Sequence, residues 1–192
     1  MKKLLMLSLS FVLISSSMVV YASQGNEKSD SLVDSTAIII KGEENIKAYE
    51  EAGIIRSVPR VRSKSFEIEG NQTSNSDFSI VSTSIPTSTW DLKVRSRDFT
   101  YSFMSHIYSN YRYLPARDSL SSTGFGIYHM FEPNSRQRMT IFCYDVDGDY
   151  ISGRTLTMDD VTLYGLAVRN KAHYFKYESP GGTRISGSGL VY

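Results

Sequence analysis

The chain is 192 residues long, 41% hydrophobic and 12% aromatic, with 21 Lys+Arg against 20 Asp+Glu and a single cysteine. This length suits one globular domain with or without an appendage and argues against a multidomain enzyme. A net charge of +1 argues against an electrostatic nucleic-acid binder, which needs a basic excess on one face, and one cysteine leaves no intrachain disulfide to reinforce a small core.

The first element in chain order is an export signal over residues 1–22. Lys2 and Lys3 form a positive start, Leu4 to Ile14 an apolar run, and Ser15-Ser16-Ser17 leads through Met18-Val-Val-Tyr21 to a small residue, Ala22, as the expected cleavage point. A membrane anchor needs about 20 predominantly apolar residues, and the serines interrupt this run too early. No stable membrane insertion is expected after the signal is removed.

Residues 23–86 read as a weakly structured polar arm. It carries a short apolar run, Ala37-Ile-Ile-Ile40, and one short helix, Glu43 to Ala52, with Ile46 and Tyr49 on one stripe, a Glu43/Lys47 pair and Gly53 to end it. A helix this short is marginal alone, so the arm is expected to add little to the stability of the C-terminal half. The basic, Pro-interrupted Arg56 to Lys64 stretch and the Ser/Thr-rich Asn71 to Thr89 stretch read as linker.

Composition changes near Trp90, so that residues 87–192 read as a separate β-domain. Eleven of the thirteen tyrosines lie at or beyond Tyr101, which is strand composition. Period-two alternation recurs in Phe99/Tyr101/Phe103, Phe125/Ile127/His129/Phe131, Met139/Ile141/Cys143 and His173/Phe175/Tyr177. Turn residues separate these runs at Asn110, Pro115 to Asp118, Glu132-Pro133-Asn134, Asp147-Gly148, Asp159-Asp160, Asn170-Lys171 and Pro180 to Gly182. The pattern predicts an all-β fold, an antiparallel β-sandwich or barrel.

Ile85-Pro-Thr-Ser-Thr-Trp90-Asp91-Leu92, Phe99-Thr-Tyr101-Ser-Phe103, Ile107-Tyr108-Ser109-Asn110-Tyr111, Tyr174-Phe175-Lys176-Tyr177 and the closing Ser186-Gly-Ser-Gly-Leu-Val-Tyr192 together resemble small secreted proteins of Gram-positive bacteria. These have a signal peptide, a variable polar arm and a Trp-Asx-Leu opening to a C-terminal β-domain. The resemblance covers about half the chain. It implies a secreted β-domain and transfers no activity and no catalytic residue.

Candidate sites come from local chemistry. Asp145, Asp147 and Asp149, at i, i+2 and i+4, would suit a calcium ion. However, counting Asp145 as the first EF-hand position puts Tyr150 where glycine belongs and Leu156 where the bidentate glutamate belongs. The competing expectation is a two-residue Asp147-Gly148 hairpin turn. Tyr108, Tyr111, Arg112 and Tyr113 would make an aromatic binding platform for sugar rings, or else pack across strands. Cys143 shares a strand face with Met139 and Ile141 and reads as core, and His106, His129 and His173 have no metal-ligand spacing. Gly124-Phe-Gly126 and Gly187-Ser-Gly189 read as close strand approaches rather than phosphate loops.

No catalytic constellation is recognisable, and no cofactor is implied beyond the calcium alternative. The sequence points to an exported β-domain with a binding, adhesive or structural role at or outside the cell envelope, with wall polymer or another envelope protein as partner. The alternatives are a secreted hydrolase of wall or matrix polymer, whose carboxylate pair is defined in space and not in sequence, and a toxin or bacteriocin-like precursor.

Overall fold

A computed structural model of the chain describes residues 37–59, 82–117 and 126–192. The expected signal peptide, the arm up to residue 36, the basic run from Arg60 to Lys64, the stretch from Asn71 to Val81, Asp118 and Gly124-Phe125 lie outside the described residues.

Two sheets face each other. The first holds β1 (Ala37–Lys41), β9 (Thr162–Leu166), β6 (Ile127–Pro133), β11 (Ile185–Val191) and β3 (Arg97–Phe103), in that spatial order. The second runs β2 (Thr89–Asp91), β5 (Arg112–Leu114), β10 (His173–Glu178), β7 (Gln137–Asp145) and β8 (Tyr150–Met158), with β4 (His106–Tyr108) paired to one end of β10. All pairings are antiparallel except β2 with β5, which run parallel. The mostly-β expectation holds, in sandwich form.

Alternation decides what lies between the sheets. Phe99, Tyr101 and Phe103 point inward from β3 while Asp98, Thr100 and Ser102 point out. Met139, Ile141 and Cys143 do the same from β7, and His173, Phe175 and Tyr177 from β10. Phe131 meets Phe99 and Tyr101 edge-on, at 5.8 and 6.2 Å between ring centroids. A residual cavity of about 10 Å³ among Phe99, Tyr101, Phe131, Met139 and Tyr177 is apolar and no larger than a single water needs.

The arm departs from expectation. Residues 37–59 belong to the same compact unit as the sheets, because β1 pairs with β9 from Ala37↔Leu166 to Lys41↔Thr162. The helix α1 (Glu43–Glu51) forms where the sequence placed it and ends at Ala52 and Gly53, the latter at φ 68°. Its Lys47 pairs with Glu51 rather than with Glu43. Ile46 is its one buried residue, and with Ile40 and Ile55 it covers Tyr128, Leu163, Leu190 and Tyr192 on the outer face of the first sheet. This second apolar cluster is what the 86/87 boundary missed: a run of isoleucines acquires its partner only from β9, far along the chain.

The strand glycines share one explanation. Gly153, Gly165, Gly187 and Gly189 stand directly across from Phe142, Tyr128, Tyr101 and Phe99, and in each case the partner's aromatic ring occupies the space a Cβ would fill. At Gly189 a Cβ would lie 2.4 Å from the Phe99 ring and 2.6 Å from the Met130 carbonyl oxygen. Backbone cannot yield as a side-chain tip can. Gly189→Ala is therefore expected to destabilise by about 2–3 kcal/mol, the upper range of core overpacking. A urea midpoint equal to that of the parent chain would contradict this.

Candidate functional site

The second sheet buries one face in the sandwich and turns the other outward, and no described helix or strand lies across that outer face. Residues out of phase with the core appear there: Lys176 from β10, Phe142 and Tyr144 from β7, Tyr108 from β4 and Tyr150 from β8, with Tyr174 of β10 set among them but only 5% exposed. Register makes a row of three of them, since Tyr174 pairs across to Tyr144 and Tyr144 to Tyr150. The Tyr174 and Tyr144 rings stack at 5.2 Å with planes 15° apart. Tyr150 stands nearly at right angles to Tyr144, at 6.0 Å and 72°, and is 61% exposed. Tyr108 extends the row at 6.3 Å from Tyr174, with His106 edge-on to it at 5.9 Å.

The cation in the middle of this face is paired. Lys176, next to Tyr108 and Phe142 in register, contacts Glu178 at 2.5 Å, and its ammonium lies 6.0 Å from the Phe142 ring centre. The hydrogen bond to Glu178 holds the ammonium's pKa above the usual lysine value. Burial pushes the Tyr144 and Tyr174 phenols up, so both stay uncharged at any physiological pH.

Of the four platform residues expected from sequence, the structure brings only Tyr108 to this row. Tyr113 points into the core between the sheets. Tyr111 packs against Trp90 at 5.2 Å, and Arg112 spends its Nε–H on the Pro86 carbonyl at 2.9 Å. Trp90 itself carries the Arg95 and Arg97 guanidiniums at 4.2 and 4.6 Å from its ring centre and donates its indole N–H to the Arg95 carbonyl. Tyr144, Tyr150 and Tyr174 were missed, although a signal existed. Phe142 and Tyr144 fall between the core positions of β7, and Tyr174 falls between those of β10. Large aromatics on both phases of a strand mean that its solvent face is also occupied.

The Asp145 cluster is a hairpin organiser. Asp145 is buried, its Oδ1 accepts the N–H groups of Asp147 and Asp149 at 3.0 Å each, and its Oδ2 pairs with the Lys171 ammonium. Burial alone would raise this carboxyl, but Lys171 and the two N–H groups more than reverse it, so it titrates below the ordinary aspartate value. The loop is Val146 to Gly148, one residue longer than the expected two-residue turn: the Gly148 N–H donates to the Asp145 carbonyl, and Gly148 sits at φ 94°. A lysine ammonium thus stands where calcium was considered, and among the described residues no three His, Cys, Asp or Glu are grouped to hold a metal ion. Millimolar calcium is accordingly expected to leave Tm unchanged, since a real site of extracellular type would add about 1 kcal/mol. A calcium-dependent rise removed by Asp149→Asn would contradict this assignment.

Cys143 is fully buried, and burial pushes its thiol well up, away from the thiolate a nucleophile needs. His129 and His173 are core residues of different sheets, and His106 lies on the surface. Among the described residues Asp145 is the one buried carboxylate. No protein-family model matches the chain, and no curated protein matches it either.

Proposed function

We propose that the chain is an exported β-domain of a Gram-positive bacterium that works by binding at or outside the cell envelope, through the outward aromatic face of its second sheet. The observation that carries the proposal is the row Tyr108, Tyr174, Tyr144 and Tyr150. Tyr108, Tyr144 and Tyr150 offer surface to solvent and the buried Tyr174 backs two of them; large aromatic side chains set side by side in this way are the groups that binding surfaces use most, because they bring contact area at small entropic expense. The Lys2-Lys3 start, the apolar run and Ala22 support export, with cleavage after Ala22. No described helix is long and apolar enough to cross a membrane.

Expression in a Gram-positive host tests both halves. The intact mass of the recovered protein should lack residues 1–22, and purified walls should retain the parent chain but release Tyr150→Ala. Retention of Lys2 and Lys3 in a membrane fraction would overturn export. Equal retention of both chains by walls would remove the tyrosine row from the function.

A further inference from the structure

Resting on that binding role, we infer that the ligand of the tyrosine row is an uncharged polysaccharide, one sugar ring of which stacks on the face of Tyr150. The geometry of β8 is the reason. Gly153 leaves open the place where a Cβ would stand, and the Tyr150 hydroxyl reaches to 2.8 Å from that point, with the Phe142 ring beside it at 2.9 Å. The Tyr150 side chain therefore lies along its own strand, over the glycine, and leaves 61% of its surface to solvent. Tyr144 meets it nearly at right angles, its ring stacked on Tyr174. The result is a floor formed by one ring and a wall formed by two.

A pyranose has complementary chemistry: an apolar C–H face that packs on a π surface, and a rim of hydroxyls that exchange hydrogen bonds with phenols along a wall. The electrostatics choose the kind of polymer. At the Tyr144 and Tyr150 end of the row the Tyr144 phenol is uncharged and Lys176 is neutralised by Glu178, while Arg112, whose Nε–H goes to the Pro86 carbonyl, keeps its charge at the opposite margin, on β5. Against Tyr150 and Tyr144 a phosphodiester or carboxylate polymer would lose hydration and meet, among the described residues, only the ammonium that Glu178 already neutralises. A neutral one loses no ionic hydration. The row crosses four strands, with centroid spacings of 6.3, 5.2 and 6.0 Å, and its accessible rings, Tyr108, Tyr144 and Tyr150, lie on three of them, so it suits an extended chain better than a single sugar.

Native affinity electrophoresis of the protein as recovered from its host tests this, with hydroxyethyl cellulose, galactomannan and arabinoxylan as neutral probes and hyaluronan as the anionic one. At least one neutral polymer is expected to retard the chain, and hyaluronan is not. Tyr150→Ala should weaken that retardation about 10-fold, the effect of one stacked ring. Gly153→Ala should do the same while keeping every ring, because the new methyl lifts Tyr150 off the strand; Tyr111→Ala, away from the row, should change nothing. Melting curves identify any variant that fails to fold, and Tyr150, being exposed, supplies the decisive comparison. If walls retain the chain in a Tyr150-dependent manner yet no neutral polymer retards it, the polysaccharide inference falls and the binding role stands. Loss of that wall retention when the walls are treated with protease would assign the row to a protein partner and overturn the inference. Stronger retardation by hyaluronan than by any neutral polymer would also overturn it. If neither walls nor polysaccharides hold the chain, both proposals fall.

Discussion

Deleting residues 23–59 is expected to lower the stability of the domain by more than about 4 kcal/mol, and Tm by at least about 10 °C. Three isoleucines, Ile40, Ile46 and Ile55, lose their burial, each contributing about 1.5–3 kcal/mol. The deletion also strips β9 of its edge partner and uncovers Tyr128, Leu163, Leu190 and Tyr192. Ile46→Ala isolates one part: a helix held to the sheet by a single buried side chain should cost about 2–4 kcal/mol when that side chain is truncated. Urea denaturation of the two variants beside the parent chain measures both effects. A deletion that left the midpoint unchanged would return residues 37–59 to the role of a dispensable arm.

Acid is expected to weaken the fold between about pH 6.5 and pH 4, before most carboxylates titrate. His129 is fully buried; its Nε2 shares a hydrogen bond with the Tyr177 hydroxyl at 3.0 Å, and its Nδ1 has no partner among the described residues. Burial pushes its pKa down to about 3, and burial likewise takes His173 down to about 4. The unfolded imidazoles accept protons near pH 6.5, whereas the folded ones do not until the pH is far lower. Protons are therefore taken up preferentially by the unfolded state across this window, and stability falls as pH falls. The slope is up to about 1.4 kcal/mol per pH unit for each histidine, so pH 5 is expected to be less stable than pH 7 by roughly 3–4 kcal/mol. Asp145, whose pKa is lowered, contributes in the same direction only further down, below about pH 4. Urea midpoints at pH 7, 6 and 5 read the effect, and His129→Leu should halve the slope. Identical midpoints at pH 7 and pH 5 would mean that these imidazoles reach solvent.

Where local pattern and burial coincide, the sequence was enough. The phases of β3, β7 and β10 follow directly from Phe99/Tyr101/Phe103, Met139/Ile141/Cys143 and His173/Phe175/Tyr177, because a sheet with one dry face enforces period two. The helix at Glu43 was equally legible from its length and Gly53. Partner choice was not. Nothing in Ala37-Ile-Ile-Ile-Lys41 indicates β9, and nothing near Asp145 announces that Lys171 will neutralise it, since both contacts join distant segments. The tyrosine row was half legible. The out-of-phase aromatics were visible strand by strand, but sequence proximity grouped Tyr108 with Tyr111 and Tyr113, whereas strand pairing groups it with Tyr144, Tyr150 and Tyr174.

The paired glycines and aromatics tie positions together in heredity. Phe99 can keep its place only while residue 189 has no side chain, and the same bond links Tyr101 with Gly187, Tyr128 with Gly165 and Phe142 with Gly153. A lineage cannot enlarge one member first without passing through a poorly folding intermediate, nor shrink the other first without opening a void. At 153/142 and 165/128, where side chains alone fill the space, exchange is therefore a two-step path through a valley, and the two changes, harmful singly, should compensate when joined; at 187 and 189 the Glu132 and Met130 carbonyl oxygens, 2.4 and 2.6 Å from a Cβ, hold glycine whatever the ring becomes. Two positions are thus fixed as glycine by the neighbouring backbone, and two pairs, one in each sheet, are free to drift only as pairs.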